Sequence, residues 1–338
     1  MPNDDALSTY SDYTYFTAVA FYVLAMVLYL VEQALARTPR AAANVLVAAG
    51  SADSASAADY SAHGDLPLRE AREGDTAPDG ESRPGARTRA ERLGRMAVSV
   101  TVLGAVLHLT SLVLRGLAAG RVPWGNMYEF GSVLCLVAVG TWLVLLRRFP
   151  VRHLGGFVLL PIVLLMFLGG TVLYTTAAPV QPALQSYWLV IHVFTVAASS
   201  GALLVPGVAS VLYLVKARNE ADPTKFAGLA GRLPAADTLD RLAYRITIIA
   251  FPAYTMAVIF GAIWAEAAWG RFWGWDPKET CAFVAWVIYA AYLHSRATAG
   301  WRGSRAAVIN ALGFAVMVFN LFFINLVVAG LHSYAGVG

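Results

Sequence analysis

Residues 264–286 read WAEAAWGRFWGWDPKETCAFVAW, and their first twelve positions contain five large aromatic side chains. These are Trp264, Trp269, Phe272, Trp273 and Trp275. The run Asp-Pro-Lys-Glu follows at once, at 276–279. Apolar segments long enough to cross a membrane as helices lie on both sides. The stretch is therefore expected at a membrane surface or at the mouth of a cavity.

The composition around this stretch is that of a membrane protein. The chain has 338 residues, of which 58% are hydrophobic and 14% are charged, a balance that excludes an ordinary soluble domain. Lys and Arg gather at the ends of apolar segments and not along one face, which argues against nucleic acid as a partner. Cys135 and Cys281 form no Cys-x-x-Cys pair, so no zinc or dithiol redox site is expected.

Eight apolar segments have the length that a spanning helix requires. They cover about residues 14–36, 97–119, 130–147, 154–176, 187–216, 244–265, 279–297 and 305–330. The predicted fold is an all-α polytopic membrane protein, a bundle of about eight transmembrane helices with an external tryptophan-rich loop at about 264–279.

The chain divides into three regions. Residues 1–37 are predicted to form an N-terminal transmembrane helix that is retained, because no positive region precedes it as in a cleaved signal peptide. Residues 38–95 are rich in small, polar and charged residues, and they bury too little apolar surface to offset the entropy of ordering. They are predicted to be a disordered cytoplasmic loop, and 96–338 form the main membrane domain with seven helices.

Basic residues are distributed unevenly among the loops. They crowd the connections after the first, third, fifth and seventh apolar segments, whereas 177–186 and the C-terminal tail contain none. Cytoplasmic loops carry the excess of Lys and Arg. The pattern therefore predicts a multi-pass protein of the cell (plasma) membrane, with both termini and the tryptophan-rich loop outside the cytoplasm.

Four histidines form two pairs by depth. His108 and His294 lie inside predicted spans, where an ionisable side chain is costly and is a functional candidate. His192 opens the fifth segment and His332 closes the eighth, both at the outer side, where they flank the tryptophan-rich loop. Two facing imidazoles are suited to hold one haem iron, and four are suited to hold two. The alternative is that each histidine is hydrogen-bonded within the bundle or at the interface.

The aromatic spacing suggests a platform. Trp269 and Trp273 are four residues apart, and Phe272 and Trp275 are three apart, so a short surface helix would place rings on shared faces. Such a platform suits a flat apolar macrocycle. The alternative is an aromatic belt at the membrane interface, although a belt usually spreads its rings over several helix ends.

A third stretch, LRGLAAGRVPWGNMYEF at 114–130, follows the second apolar segment. Arg115 and Arg121 are candidates to pair with carboxylates such as haem propionates, because guanidinium groups match carboxylate geometry. The alternative is an ordinary connection between helices with interfacial Trp and Arg.

These motifs resemble a known family. The pattern Trp-Gly-x-x-Trp-x-Trp-Asp-Pro-Lys-Glu at 269–279 resembles the WWD signature of haem-handling proteins of cytochrome c maturation. The Pro-Lys-Glu ending, the eight spans, Gly-Leu-His-Ser-Tyr at 330–334 and Pro-x-x-Asn-Met-Tyr-Glu-Phe at 123–130 resemble the CcsA/ResC branch of System II. The resemblance covers about 96–338 and leaves out 38–95.

The resemblance implies roles for individual residues. His192 and His332 match the two external histidines that ligate haem beside the WWD loop, and His108 and His294 match the two membrane histidines that bind haem on its way across. The external haem would rest against the loop, with candidate contacts from Trp269, Trp273, Trp275 and Asp276. The ligand implied is haem b, both substrate and bound ligand.

The resemblance also implies an activity and partners. The chain is expected to move haem across the membrane and, with a ResB/CcsB-type membrane protein, to attach it to the Cys-x-x-Cys-His segment of apocytochrome c through thioether bonds, as a cytochrome c synthase or haem lyase subunit. A thiol-reducing protein would act upstream. The alternatives are a System I WWD protein, a haem exporter without attachment chemistry, and an electron-transfer cytochrome b subunit.

Overall fold

The computed structural model describes residues 2–35, 84–177, 185–324, 327–328 and 330–331. Throughout these residues the secondary structure is helical, with irregular connections and no strand. Eight long helices follow one another: α1 (Pro2–Leu35), α2 (Pro84–Ala119), α3 (Met127–Arg148), α4 (Gly155–Thr171), α5 (Tyr187–Ala221), α6 (Ala236–Trp269), α7 (Pro277–Ala297) and α8 (Ser304–Phe319). A π-helical segment, Asn320–Ile324, continues α8, and short turns occur at Arg152–Leu154 and Ala227–Ala230.

Seven of the long helices are apolar enough to cross a membrane, which confirms the prediction of an all-α polytopic membrane protein. The exception is α7, which has 21 residues but carries charged or polar side chains near both ends. It coincides with the predicted segment 279–297. Its lower hydropathy follows from Lys278 and Glu279 in its first turn and from His294 and Arg296 in its last.

Helix α2 begins earlier than the sequence predicted. Residues 84–95 are helical, whereas they were expected to belong to the disordered loop 38–95. The sequence PGARTRAERLGR accounts for this difference, because Pro is favoured in the first turn of a helix and Ala, Arg and Glu are strong helix formers. The remainder of the predicted loop, up to residue 83, lies outside the described residues.

The helices pack as two groups. α1 lies along α2 and also contacts α4, while α3 packs on α4 and on α2. α5 lies along α6, and α8 packs on α7 and on α5. Contact between α3 and α5 joins the groups. The largest buried side chains of the first group include Tyr15, Tyr22 and Tyr29, which are seven residues apart on α1, and Trp142 of α3.

The ends of the bundle differ in chemistry. At one end α3, α5 and α7 begin and α4, α6 and α8 end, and the tryptophan-rich loop connects α6 to α7. At the opposite end Arg152 pairs with Glu32 at 2.6 Å and Arg296 pairs with Asp240 at 2.7 Å. The placement of a membrane around these ends, and the orientation predicted from the loop charges, stay predictions.

Candidate functional site

A cavity of about 190 Å³ opens at the end of the bundle that carries the tryptophan-rich loop. The start of α3, the first half of α5, the second half of α6, the start of α7 and the end of α8 all contribute to its wall. Most of the lining is apolar or aromatic. The polar side chains among the lining residues include Asn126, His192, Ser200, Lys278, Glu279 and Asn320. We call this space the WWD cavity.

His192 of α5 lies in the cavity wall in a fixed orientation. Its Nδ1 donates to the carbonyl of Ala257 on α6 at 2.9 Å, and its ring stacks on Trp264 with centroids 5.9 Å apart and planes 7° apart. A Cβ at Gly261 would lie 2.7 Å from His192 Cε1, so the absence of a side chain permits this approach. In a neutral imidazole, a donating Nδ1–H leaves the lone pair on Nε2, which is the arrangement found in metal-ligating histidines.

The tryptophan-rich loop is irregular and not a short helix. Helix α6 ends at Trp269, because Gly270 adopts the left-handed conformation (φ 70°), and α7 begins at Pro277. The expectation that Trp269 and Trp273 share a helix face is therefore wrong. Both nevertheless line the cavity together with Phe272, and Trp269 packs edge-on against Trp264 with centroids 4.7 Å apart.

Trp275 differs from the other rings of the loop. It is 65% exposed, and it has a positive φ of 57°, which is unusual for a residue with a bulky side chain. Its ring packs edge-on against Trp273 at 5.8 Å and against Phe283 of α7 at 6.1 Å. The contact of Trp275 with haem, predicted from the sequence, stays a prediction.

Asp276 and Glu279 form a capping box at the start of α7. The side chain of Asp276 accepts from the backbone N–H of Lys278, while Glu279 Oε2 accepts from the N–H groups of Asp276 at 3.1 Å and of Gly274 at 2.9 Å. The reciprocal bonds satisfy backbone donors that a helix start leaves open. Asp276 is 7% exposed and anchors the loop, so its predicted role in contacting haem stays a prediction.

The last described residues, Gly330 and Leu331, contact the same helix cap at Asp276. Leu331 donates its backbone N–H to Asp276 Oδ1 at 2.8 Å, and a Cβ at Gly330 would lie 2.6 Å from that oxygen. Both residues directly precede His332, which lies outside the described residues. The predicted pair of His192 and His332 is therefore placed for one member only.

Arg115 and Arg121 are engaged by a buried carboxylate. Glu129 is fully buried, and its oxygens accept from Arg115 Nε at 3.1 Å and from Arg121 Nη1 at 2.6 Å. Glu129 also accepts from the N–H of Gly125 at 2.8 Å. The network fixes the loop before α3, whose Trp124 lines the cavity. Neither arginine is among the described lining residues, and their contact with propionates stays a prediction.

The two membrane histidines lie in different surroundings. His108 is fully buried, with Nδ1 3.3 Å from the hydroxyl of Tyr22 and Nε2 2.8 Å from Ser132 Oγ. It thereby joins α2 to α1 and α3. His294 is exposed in the last turn of α7, and the main packing partners of α7 are α8 and α6. The described contacts do not bring these two imidazoles together, and their joint binding of haem stays a prediction.

Sequence reasoning assigned no role to Lys278. Lys278 is the one Lys or Arg among the described lining residues of the cavity. Burial lowers the pKa of its ammonium group to about 8, while the nearby Asp276 carboxylate acts in the opposite direction. Lys278 falls inside the WWD motif, and its position there was the available signal.

Sequence comparison identifies the family. Residues 124–332 match the family model described as "Cytochrome C assembly protein", from Trp124 in the cavity wall to His332. This chain belongs to that family. It is 37% identical over 238 residues to the cytochrome c biogenesis protein CcsA of Chlamydomonas reinhardtii, covering 68% of this chain and 65% of that protein. It is 36% identical over 257 residues to the CcsA of Guillardia theta, covering 69% and 83%.

These similarities make it a CcsA-type cytochrome c biogenesis protein, as the WWD resemblance predicted. A solved structure, "Cytochrome c Heme Lyase CcmF", has a similar fold with a TM-score of 0.60 at 16% sequence identity. The match covers 94% of this chain and 46% of the CcmF chain. The present chain thus spans about half the length of CcmF and about two thirds of the Chlamydomonas relative.

Proposed function

We propose that this CcsA-type protein holds haem in the WWD cavity and presents it, together with a ResB/CcsB-type partner, for covalent attachment to apocytochrome c. The observation that carries the proposal is the arrangement of His192. Its Nδ1–H is committed to the Ala257 carbonyl and its ring is stacked on the buried Trp264, so the Nε2 lone pair has a fixed direction at the wall of an apolar cavity. Hydrogen bonds of this kind orient metal-ligating histidines.

The cavity lining fits a flat, mainly apolar ligand. Trp269, Phe272 and Trp273 supply aromatic surface on the WWD loop side, and Trp124 supplies it from the loop before α3. Haem is the substrate in this proposal, and the chain binds it, orients it and excludes water from it. Oriented binding of this kind lowers the entropic barrier of a reaction between two partners.

His332 is the proposed second axial ligand. Its neighbour Leu331 is bonded to the Asp276 cap, at the same end of the bundle as His192 and the WWD loop. The histidine of an apocytochrome Cys-x-x-Cys-His segment would then replace one of the two imidazoles. Neutral imidazole pairs are established ligands of haem iron.

The attachment step adds two substrate thiols to the two haem vinyl groups. In each addition the sulfur forms a bond to the vinyl carbon next to the ring, and the thiol proton ends on the terminal carbon. The C=C bond becomes a single bond, and the addition needs no external oxidant or reductant. The thiols come from the substrate, so Cys135, which is buried, and Cys281, which is half-buried, need no role.

Reconstitution tests the proposal. The chain is produced with and without a ResB/CcsB-type partner and a c-type apocytochrome, in cells that lack their own maturation system. Haem-stained holocytochrome should appear only when both membrane proteins are present. His192→Ala should abolish it, whereas the matched change His153→Ala, beyond the opposite end of α3, should not. Holocytochrome at the wild-type level in the His192 variant would refute the ligand assignment.

The same preparation separates the alternatives. A protein that carries haem but gives no holocytochrome under any combination would be an exporter without attachment chemistry. A protein whose bound haem is reduced and oxidised by membrane quinols, again without attachment, would be an electron-transfer cytochrome b. A chain that carries no haem with or without its partner would refute haem binding at this site altogether.

A further inference from the structure

Glu279 is a buried carboxylate in the wall of the WWD cavity, and it is 9% exposed. One of its oxygens, Oε2, accepts from the backbone N–H groups of Gly274 and Asp276 and so holds the loop. The other oxygen, Oε1, is buried and accepts no hydrogen bond within the described part of the chain. A buried carboxylate oxygen without a donor is strongly unfavourable, which indicates that a donor is missing.

Other buried carboxylates of the bundle are paired with arginine. Glu129 meets two arginines, through both of its oxygens. Asp12 and Glu32 each have an oxygen without a hydrogen-bond partner, but each carboxylate lies within ion-pair distance of an arginine. In the part of the chain that the structure describes, the charge of Glu279 is met by backbone N–H groups alone. Its second oxygen is therefore suited to accept from a ligand or from a residue that binds the ligand.

The macrocycle itself does not supply the missing donor. In haem the four pyrrole nitrogens bind the iron and the ionised propionates only accept hydrogen bonds, so the ring offers no N–H or O–H group. An imidazole that ligates iron through one nitrogen carries an N–H on the other, and such N–H groups commonly donate to a carboxylate. His192 already gives its Nδ1–H to the carbonyl of Ala257. The imidazole on the opposite side of the iron is therefore the donor that suits Glu279.

The end of the described chain comes close to Glu279. Leu331 donates its backbone N–H to Asp276 Oδ1 at 2.8 Å, and the N–H of Asp276 donates to Glu279 Oε2 at 3.1 Å. His332, the proposed second axial ligand, follows Leu331 directly in the sequence. Because consecutive Cα atoms are only about 3.8 Å apart, a side chain at position 332 is able to reach the first turn of α7.

We propose that Glu279 is a positioning residue for the haem site: its Oε1 accepts the N–H of the second axial imidazole, that of His332, while the other ring nitrogen binds the iron. This inference rests on the proposed function and goes beyond it, because it assigns a task to the carboxylate that ends the WWD motif. The two imidazoles are then held by unlike acceptors, a neutral carbonyl for His192 and a carboxylate for His332. A carboxylate raises the basicity of its imidazole, which strengthens the bond to iron and favours the oxidised state.

Two small ligands test this assignment. The full chain with its partner, carrying His332→Ala and loaded with haem, is titrated with imidazole and with 1-methylimidazole, which also ligates iron but has no N–H. The Soret absorbance gives both dissociation constants, and free haem in the same detergent gives the reference ratio. With Glu279 present, imidazole should gain roughly tenfold or more over that reference, as expected for a charge-assisted hydrogen bond. Adding Glu279→Gln should return the ratio to the reference, and a reference ratio already in the presence of Glu279 would overturn the proposal.

Glu279→Gln in a chain that keeps His332 supplies a second readout. Gln also completes a capping box, so its amide oxygen retains the bonds from Gly274 and Asp276, while the atom in place of Oε1 becomes a donor. The haem reduction potential should rise and haem affinity should fall about 10–100-fold, at an unchanged melting temperature of the haem-free protein. Glu266→Gln removes the same charge from an exposed position in the last turn of α6 and should change none of these quantities.

Two results would restrict Glu279 to holding the loop and would overturn the proposal. One is an unchanged reduction potential and haem affinity in Glu279→Gln. The other is equal weakening of imidazole and 1-methylimidazole binding, together with a lowered melting temperature of the haem-free protein. Haem that stays six-coordinate in His332→Ala before imidazole is added would instead refute the second ligand of the proposed function, and a wild-type chain that binds no haem would refute haem binding itself. These failures are therefore distinguishable.

Discussion

Replacing Gly261 with Ala should disable the haem site while leaving the helix intact. The new Cβ would lie 2.7 Å from His192 Cε1 and 3.0 Å from Nδ1, whereas ordinary contacts begin at 3.4 Å. The imidazole would have to retreat by about 0.7 Å on these distances. Such a displacement breaks both the bond to the Ala257 carbonyl and the stacking on Trp264, because the two together define the present ring position.

The effect on stability should be small because opposing terms nearly cancel. Ala is favoured over Gly inside a helix by about 1 kcal/mol. The lost hydrogen bond costs about 0.5–1.5 kcal/mol, and the lost ring stacking costs a similar amount. The net change should therefore be a destabilisation of about 0–2 kcal/mol. The effect on the ligand should be much larger, since a misdirected Nε2 no longer meets the iron.

The assay combines thermal unfolding in detergent, haem absorbance and holocytochrome yield. The matched control is Gly131→Ala, also inside a helix, where a new Cβ would meet nothing within 4 Å. Gly131→Ala should keep the haem spectrum and full activity, whereas Gly261→Ala should lose both at nearly unchanged melting temperature. A normal haem spectrum and normal yield in the Gly261 variant would refute the fixed orientation of His192 as the basis of the site.

Three further substitutions probe the surroundings of the cavity. Glu129→Ala leaves the buried Arg115 without its carboxylate and should destabilise the protein by about 3–5 kcal/mol, measured as a lowered melting temperature and yield. Asp276→Ala removes the helix cap and the acceptor for Leu331, and should cost about 1 kcal/mol while lowering haem occupancy, measured by haem content per protein. His108→Ala leaves the buried hydroxyls of Tyr22 and Ser132 without their hydrogen-bond partner, which should cost about 1–3 kcal/mol each. Thermal unfolding of haem-free protein should show the same loss of stability.

The helices could be predicted from the sequence because a membrane imposes length and apolarity on each span. Even α7 was found as a helix, although Lys278 and His294 lower its hydropathy, because the residues between them are mainly apolar. The start of α2 was missed because the spans were predicted from apolar residues, and the residues before this span are mostly polar or charged. Only the helix propensity of Ala, Arg and Glu indicated that the helix begins there.

The site was predictable in part. The aromatic motif and His192 drew attention in the sequence, and the structure brings them to one cavity, while their contact with haem stays a prediction. The loop conformation was not, because Gly270 and Pro277 end and begin helices and outweigh the spacing of the rings. The ion-pair partner of Arg121 could not be predicted from the sequence either. Arg121 and Glu129 are eight residues apart in the chain, but only the fold shows that their side chains meet around a buried carboxylate.

Two buried carboxylates, Glu129 and Glu279, hold the loops on the two sides of the WWD cavity in different ways. Glu129 binds Arg115 and Arg121 and, through Gly125, holds the loop on the α3 side of the cavity. Glu279 accepts only backbone N–H groups among its described bonds, those of Gly274 and Asp276, and so holds the WWD loop by its main chain. Glu129 thus fixes its loop through ion pairs with arginine side chains, whereas Glu279 fixes the WWD loop through hydrogen bonds to backbone N–H groups. The second arrangement sets the path of the loop backbone, from which Phe272 and Trp273 reach the cavity wall.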